Sequence, residues 1–386
     1  MALKTETVAK LALAALTVVE AATHTGEIYP DSVGYIQAAY YFEGKISKTD
    51  MGAAYFRLLR PVLPFAASLI NHIIGINASF SVINFILWCA SSLLIFKLTK
   101  LLTERTDAAL ISTAFFNASI PMLFYGGAIL TDMAGYFFVL LGTFLTFKID
   151  LPRARYSRVA ASALIITLGI LARELVGAVI LTVLIWTLLT KGSWRRVALL
   201  VLIVLAGALL WSTVIGISYS SWFMFNVQRE SELAPFISQN APMSLRIWTW
   251  IRTVRIAFRP EIVLATALGA VGILWKNYAN LRIQRKLASF VASLLGPAIF
   301  TLALAIAGAG TDFRYTFIMF PGVLPLAAVG ILWVSGELAH LFTGQSGRCE
   351  KLAALFSLLV VLAFVVETNL ILLRFISFPW HPYVAV

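Results

Sequence analysis

EIYPDSVGYIQAA, residues 27–39, decides how the rest of the chain is read. It follows a hydrophobic run near 7–23 and sets Asp31 among aromatic residues, in a sequence where charge is scarce. Hydrophobic residues make up 60% of the 386 positions and charged residues only 12%. A soluble domain carries about 25% charged residues, so this composition belongs to a chain that spends most of its length in lipid. Apolar runs of about 20 residues, enough to cross a hydrocarbon core of roughly 30 Å, recur throughout. The runs lack the dyad alternation of outer-membrane barrel strands.

The expected fold is therefore all-α and polytopic, with about 11 transmembrane helices. The spans fall near 7–23, 79–97, 108–125, 129–147, 159–172, 175–190, 196–217, 260–275, 287–308, 316–335 and 352–375. Residues 62–76 are apolar but short, and counting them as a span would turn every later basic loop outward. They read as a helix lying at the outer interface. The N-terminal run has the look of a signal peptide, but the charge parity works with it kept as a span.

A net charge of +12 would suggest nucleic acid in a soluble protein. Here the excess gathers in alternate connections, from Lys4 and Lys10 through Arg153, Arg155 and Arg158 to Arg348 and Lys351. That is the positive-inside pattern. It puts the N-terminus in the cytoplasm and argues against a nucleic-acid partner, leaving membrane lipids as the surroundings. A plasma membrane is the expected location. Cys89 falls within a span and Cys349 in an inner loop, and the four histidines do not cluster, so neither a disulfide nor a zinc site is implied.

Residues 1–386 form a single integral-membrane domain in this reading, with two long external connections, 24–78 and 218–259. Both are rich in aromatic residues and arginine, a poor composition for disorder, and are expected to fold as short interfacial helices. In the second, Arg252, Arg255 and Arg259 recur at three- and four-residue spacing, which puts them on one helix face and suits an amphipathic interfacial helix.

No phosphate-binding GxxxxGK[ST] loop and no GxGxxG motif occurs, which argues against an ATP-driven pump or direct use of a nucleotide sugar. The ionisable groups that remain gather at the expected outer ends of the spans. Asp31 could act as a general base toward a hydroxyl or cap the helix that follows it. Glu27 is either a second carboxylate of the same site or a solvated loop acid. Arg57 and Arg60 lie three apart, spaced either to grip a phosphate through their planar forks or to snorkel to the interface. Arg173 and Glu174 interrupt the apolar run LGILARELVGAVIL, and charges at membrane depth cost roughly 2.5–3.5 kcal/mol each. Asp132 lies about one turn into a span, facing either an external cavity or Thr131 and a neighbouring helix end. Asp312 and Arg314 could pair locally, or Arg314 with Tyr315 could bind a phosphate and its sugar.

A hydrophobic span followed by an acidic external loop resembles the GT-C superfamily of glycosyltransferases. The likeness is to the small polyprenyl-phosphate-sugar transferases of the protein-mannosyl and aminoarabinose transferase kind. PDSVGYIQAA carries it, followed by RLLRPVLPF leading through a turn at Gly75 into the second span. YGGAILTDMAGYFFVLLG, LARELVGAVIL and FRYTFIMFPGVLPL look similar to later blocks of such enzymes. The resemblance implies an inverting transfer on the external face, with a polyprenyl-phosphate-linked monosaccharide as donor and Asp31 as the base. Arginines would stabilise the phosphate leaving group. It leaves a divalent metal open, for which Asp31, Glu27 and Asp132 could supply oxygen ligands. The chain ends in FPWHPYVAV without the soluble domain of larger relatives, which favours a glycan, lipid or other small acceptor over a protein one. The rival readings are a transporter or lipid flippase, and a non-catalytic membrane subunit.

Overall fold

A computed structural model of the chain describes residues 5–24, 30–216, 242–277, 281–307, 313–343 and 346–376. Among them there is no strand. The described residues form fourteen α-helices, of which the first seven are α1 (Thr5–Thr23), α2 (Pro30–Phe42), α3 (Val62–Ile74), α4 (Ile76–Thr103), α5 (Thr106–Asn117), α6 (Ile120–Tyr125) and α7 (Asp132–Lys148). They continue through α8 (Tyr156–Ala172), α9 (Ala178–Thr190), α10 (Trp194–Ile215), α11 (Met243–Asn277), α12 (Leu281–Ile306), α13 (Phe320–Thr343) and α14 (Ser346–Ile376). Short 3-10 segments cover Thr49–Leu59, Leu151–Arg153, Glu174–Gly177 and Phe313–Met319.

Six of these helical stretches are long and apolar enough to cross a membrane: Ile76–Thr103, Trp194–Ile215, Met243–Ile273, Arg285–Ile306, Tyr315–Phe342 and Cys349–Leu370. Val62–Ile74, Tyr156–Ala172 and Glu174–Thr190 are apolar but shorter. In lipid every backbone polar group must be satisfied within the chain, which is why helices carry the whole fold. Their outer faces are apolar, with Leu202, Leu210, Val214, Leu358 and Val366 exposed.

Three local breaks shape the bundle. Residues 108–125, expected as one span, divide into α5 and α6. Ser119 has extended backbone and Pro121 stands in the first turn of α6, the usual place for proline in a helix that is starting. Between α3 and α4, Gly75 has φ +82° and ψ 155°, a conformation that penalises any residue with a Cβ. In α11 the helix kinks at Arg259, with φ +59°, immediately before Pro260, since proline disfavours helical geometry in the residue before it. The kink removes Arg259 from the exposed face that Arg252 and Arg255 share. Its guanidinium turns inward to Thr368 (3.0 Å) and Glu367 (2.5 Å) of α14.

Helices pack closely where small or polar residues permit it. A Cβ added at Gly330 of α13 would fall onto the Ala265 carbonyl of α11, and one at Gly269 onto the Leu326 carbonyl. Asn117 ties three helices together: its Oδ1 accepts from Trp88 (2.8 Å) and Ser92 (2.7 Å), and its Nδ2 donates to Thr17 Oγ1 (2.8 Å).

The segment from α2 to α3 folds back as one unit over an end of the bundle. Lys48 Nζ donates to the Ile215 carbonyl at 3.1 Å, and Trp211 Nε1 donates to the Leu58 carbonyl at 2.9 Å. Of the expected second external connection, residues 218–241 lie outside the described residues.

Candidate active site

The carboxylate of the opening motif stands in the first turn of α2, where a negative charge complements the helix dipole. Pro30 is the first helical residue, so Asp31 falls inside the helix and not at the cap position. Its Oδ1 accepts from Arg57 Nη2 at 2.7 Å. Arg57 and Arg60 occupy the end of the 3-10 segment and the residue after it. Side chains three apart eclipse in a 3-10 helix, so both guanidiniums reach the same place. Arg60 grips Glu174 with two hydrogen bonds, Nε to Oε2 at 2.7 Å and Nη2 to Oε1 at 2.6 Å. This is the fork-to-carboxylate geometry that gives arginine its strength as a partner.

A third pair lies deeper. Arg173 follows the last residue of α8 and Asp132 is the first residue of α7, and their Nη2 and Oδ1 are 3.1 Å apart. The Arg173 side chain is 1% exposed and that of Asp132 fully buried. Gly135 makes room for this pair, since a Cβ there would meet Arg173 Cβ at 3.0 Å and Phe317 Cζ at 3.1 Å. Gly34 does the same for the outer pair, where a Cβ would meet Arg57 Cγ at 3.0 Å. The Arg173 guanidinium also stacks 5.7 Å from the ring centre of Tyr315, itself buried.

All three ion pairs meet at Tyr35. Its phenol oxygen receives Arg60 Nη1 at 2.5 Å, Arg57 Nη1 at 3.1 Å and Arg173 Nη1 at 3.4 Å, with Thr131 Oγ1 at 3.2 Å. The structure thus brings together Asp31, Arg57, Arg60, Asp132, Arg173 and Tyr315 with Thr131 and Glu174, all named in the sequence reading, and adds Tyr35. Glu174 stood beside Arg173 in the sequence. Tyr35 went unnoticed as one of 12 tyrosines, although its i, i+4 spacing from Asp31 puts the two on one helix face. Glu27 and Asp312, with the side chain of Arg314, lie outside the described residues.

As metal ligands, Asp31 and Asp132 each face a guanidinium. No group of three or more His, Cys, Asp or Glu with ligand geometry occurs among the described residues. The arrangement is suited to holding fixed charges against a bound anion and to moving one proton at its outermost carboxylate.

Among solved structures the chain is similar to the oligosaccharyltransferase of Archaeoglobus fulgidus in the apo form. The TM-score is 0.58 at 10% identity, over 95% of this chain and 55% of that one. It is also similar to the same organism's AglB in complex with an inhibitory peptide and a dolichol-phosphate, with a TM-score of 0.57 at 11% identity. ArnT from Cupriavidus metallidurans bound to undecaprenyl phosphate superposes with a TM-score of 0.56 at 15% identity, over 94% of this chain and 76% of that one. These are GT-C glycosyltransferases. The chain has the GT-C fold. It spans about half the length of the archaeal enzyme. No family model matches the sequence, and no curated protein does.

Proposed function

We propose that the chain is a glycosyltransferase that moves a monosaccharide from a polyprenyl-phosphate carrier to a glycan, lipid or other acceptor. Asp31 is its general base and the transfer inverts the sugar's anomeric configuration. The observation that carries this is the position of Asp31: its side chain, 21% exposed, is the most open of the three paired carboxylates, at the edge of an otherwise buried charge cluster. The GT-C fold supports the donor class. Three of its solved neighbours are named for an inhibitory peptide with dolichol-phosphate, for undecaprenyl phosphate or for an acceptor peptide.

In this mechanism the acceptor hydroxyl gives its proton to Asp31 as its oxygen bonds to the sugar C1. The bond from C1 to the phosphate oxygen breaks, and the carrier leaves as a polyprenyl phosphate. Protonation of Asp31 loosens its hold on Arg57, and that guanidinium becomes available to the charge growing on the leaving phosphate. Charge stabilisation of this kind is strongest where water is partly excluded. Arg60, Arg173 and Tyr315 keep the cluster in place around the donor, with Asp132 anchoring Arg173. Glu27 and Arg314 complete the site in this reading.

The same reading takes the chain as crossing the membrane about 11 times with its N-terminus cytoplasmic. The segment 24–78 is then the external catalytic loop and 218–259 a second external loop. Reconstituted protein incubated with a panel of radiolabelled polyprenyl-phosphate sugars and mixed acceptors tests the function. Transfer or release of label from one carrier class is expected. A chain that binds none of the donors and releases no label would overturn the reading.

A further inference from the structure

The Tyr35 oxygen is surrounded by donors. Arg57, Arg60 and Arg173 each direct an N–H at it, and guanidiniums have no acceptor to offer in return. Thr131 is the fourth neighbour, and its Oγ1 already accepts from Arg173 Nη1 at 3.3 Å. The Thr131 hydroxyl stands 3.2 Å from Tyr35 Oη, placed to donate to it.

A neutral phenol has one proton to give and two lone pairs with which to accept. Even if it donated to Thr131, three guanidinium N–H groups would compete for two lone pairs. A phenolate has three lone pairs and no proton to place. The Arg60 contact, at 2.5 Å, is the shortest of the four at the Tyr35 oxygen, shorter than the usual N–H to anion bond of about 2.7–2.9 Å.

We propose that Tyr35 is held as a phenolate, and that this single anion orients Arg57, Arg60 and Arg173. Tyr35 is a positioning residue in this arrangement. Because Arg57 is shared between the Tyr35 oxygen and Asp31, ionised Tyr35 draws on the same guanidinium and leaves Asp31 a stronger base.

The groups around it favour this state. Besides the three arginines, Asp31 lies on the same helix, Asp132 and Glu174 are matched by Arg173 and Arg60, and Tyr125 belongs to the apolar cluster that encloses the ring. Leu63 and Ala67 from α3 and Phe80 from α4 contribute no charge, and His72 of α3 is exposed. Burial pushes the Tyr35 phenol up and Asp31 adds to that, but Arg60, Arg57 and Arg173 outweigh them and hold it below its ordinary range. Helix α2 belongs to the loop expected outside the spans, and Tyr35 ionises in this way whether or not the chain transfers sugars.

Near-ultraviolet spectrophotometric titration of the purified protein in detergent, compared with Tyr35→Phe and Tyr125→Phe, tests the ionisation. The wild type and Tyr125→Phe should show a tyrosinate band of about one twelfth of the total amplitude, since there are 12 tyrosines, already present below about pH 9, where ordinary tyrosines remain neutral. Tyr35→Phe should lack it. A wild type with no band until about pH 10, or a band that persists in Tyr35→Phe, would overturn the proposal. Should Tyr35→Phe fail to fold, Thr131→Val takes its place: removing one donor should move the band to higher pH, and an unmoved band would refute the assignment.

Discussion

Asp132→Asn and Arg173→Met together form the sharpest test of how the inner ion pair is held. At 3.1 Å and an effective dielectric of about 20, the Coulomb attraction is about 5 kcal/mol. Burying each ion costs several kcal/mol, so the intact pair contributes little net stability. No hydrogen bond reaches either Asp132 oxygen among the described residues, which leaves charge as the main tie. Removing Arg173 leaves Asp132 buried and uncompensated, at a cost of about 3–5 kcal/mol, whereas Arg173 without Asp132 keeps Tyr35, Thr131 and the Tyr315 ring. Arg173→Met should therefore unfold earlier by about that amount, and Asp132→Asn by less, in denaturant titrations of reconstituted protein. The double variant should recover most of the loss, giving a coupling energy of more than about 2 kcal/mol. Single variants that each cost less than about 1 kcal/mol, or losses that simply add, would refute a buried, uncompensated charge as the cause.

The remaining predictions concern shape and register. Gly34→Val should push Arg57 off Asp31, because even a Cβ meets Arg57 Cγ at 3.0 Å; turnover should fall at least tenfold with donor binding retained, and unchanged turnover would contradict it. Gly330→Ala should destabilise by about 1–3 kcal/mol or more through overpacking against Ala265, read by thermal unfolding. Arg60→Lys replaces a bidentate fork by a point charge and should lose about 1–2 kcal/mol of stability, with Glu174→Gln showing a similar loss. Gly75→Ala should cost about 1–2 kcal/mol, since its positive φ is strained for any L side chain.

Much of the site was legible because charge is rare in this chain. Against 60% hydrophobic residues, an Asp or Arg near the end of a span stands out, and Asp31, Arg57, Arg60, Asp132 and Arg173 were all found on that signal. Their pairing was not legible. The sequence places Asp132 within one span and Arg173 in the turn between two others, and which partner each takes depends on how α7, α8 and the 3-10 segment dock. Tyr35 was hidden among aromatic residues that read as interfacial surface, since nothing in composition separates a phenol buried under three guanidiniums from one facing lipid.

Helix existence followed from hydropathy, while the interruptions came from local chemistry that hydropathy averages away. Pro121 and Pro260 were visible signals for the breaks at Ser119 and Arg259. The expected span 108–125 runs across the first, whereas the expected span 260–275 begins at the second. The inward turn of Arg259 toward Glu367 needed α14 in place, which helical spacing alone does not supply.

The most direct measurement of the central claim is the rate at which label leaves a bound polyprenyl-phosphate sugar in the presence of acceptor, for wild type and Asp31→Asn in nanodiscs. Asp31→Asn should bind donor as the wild type does and lose about 10²–10⁴-fold in transfer rate, the usual contribution of a general base. A variant that transfers within a few-fold of wild type would remove Asp31 from the chemistry and the proposed mechanism with it.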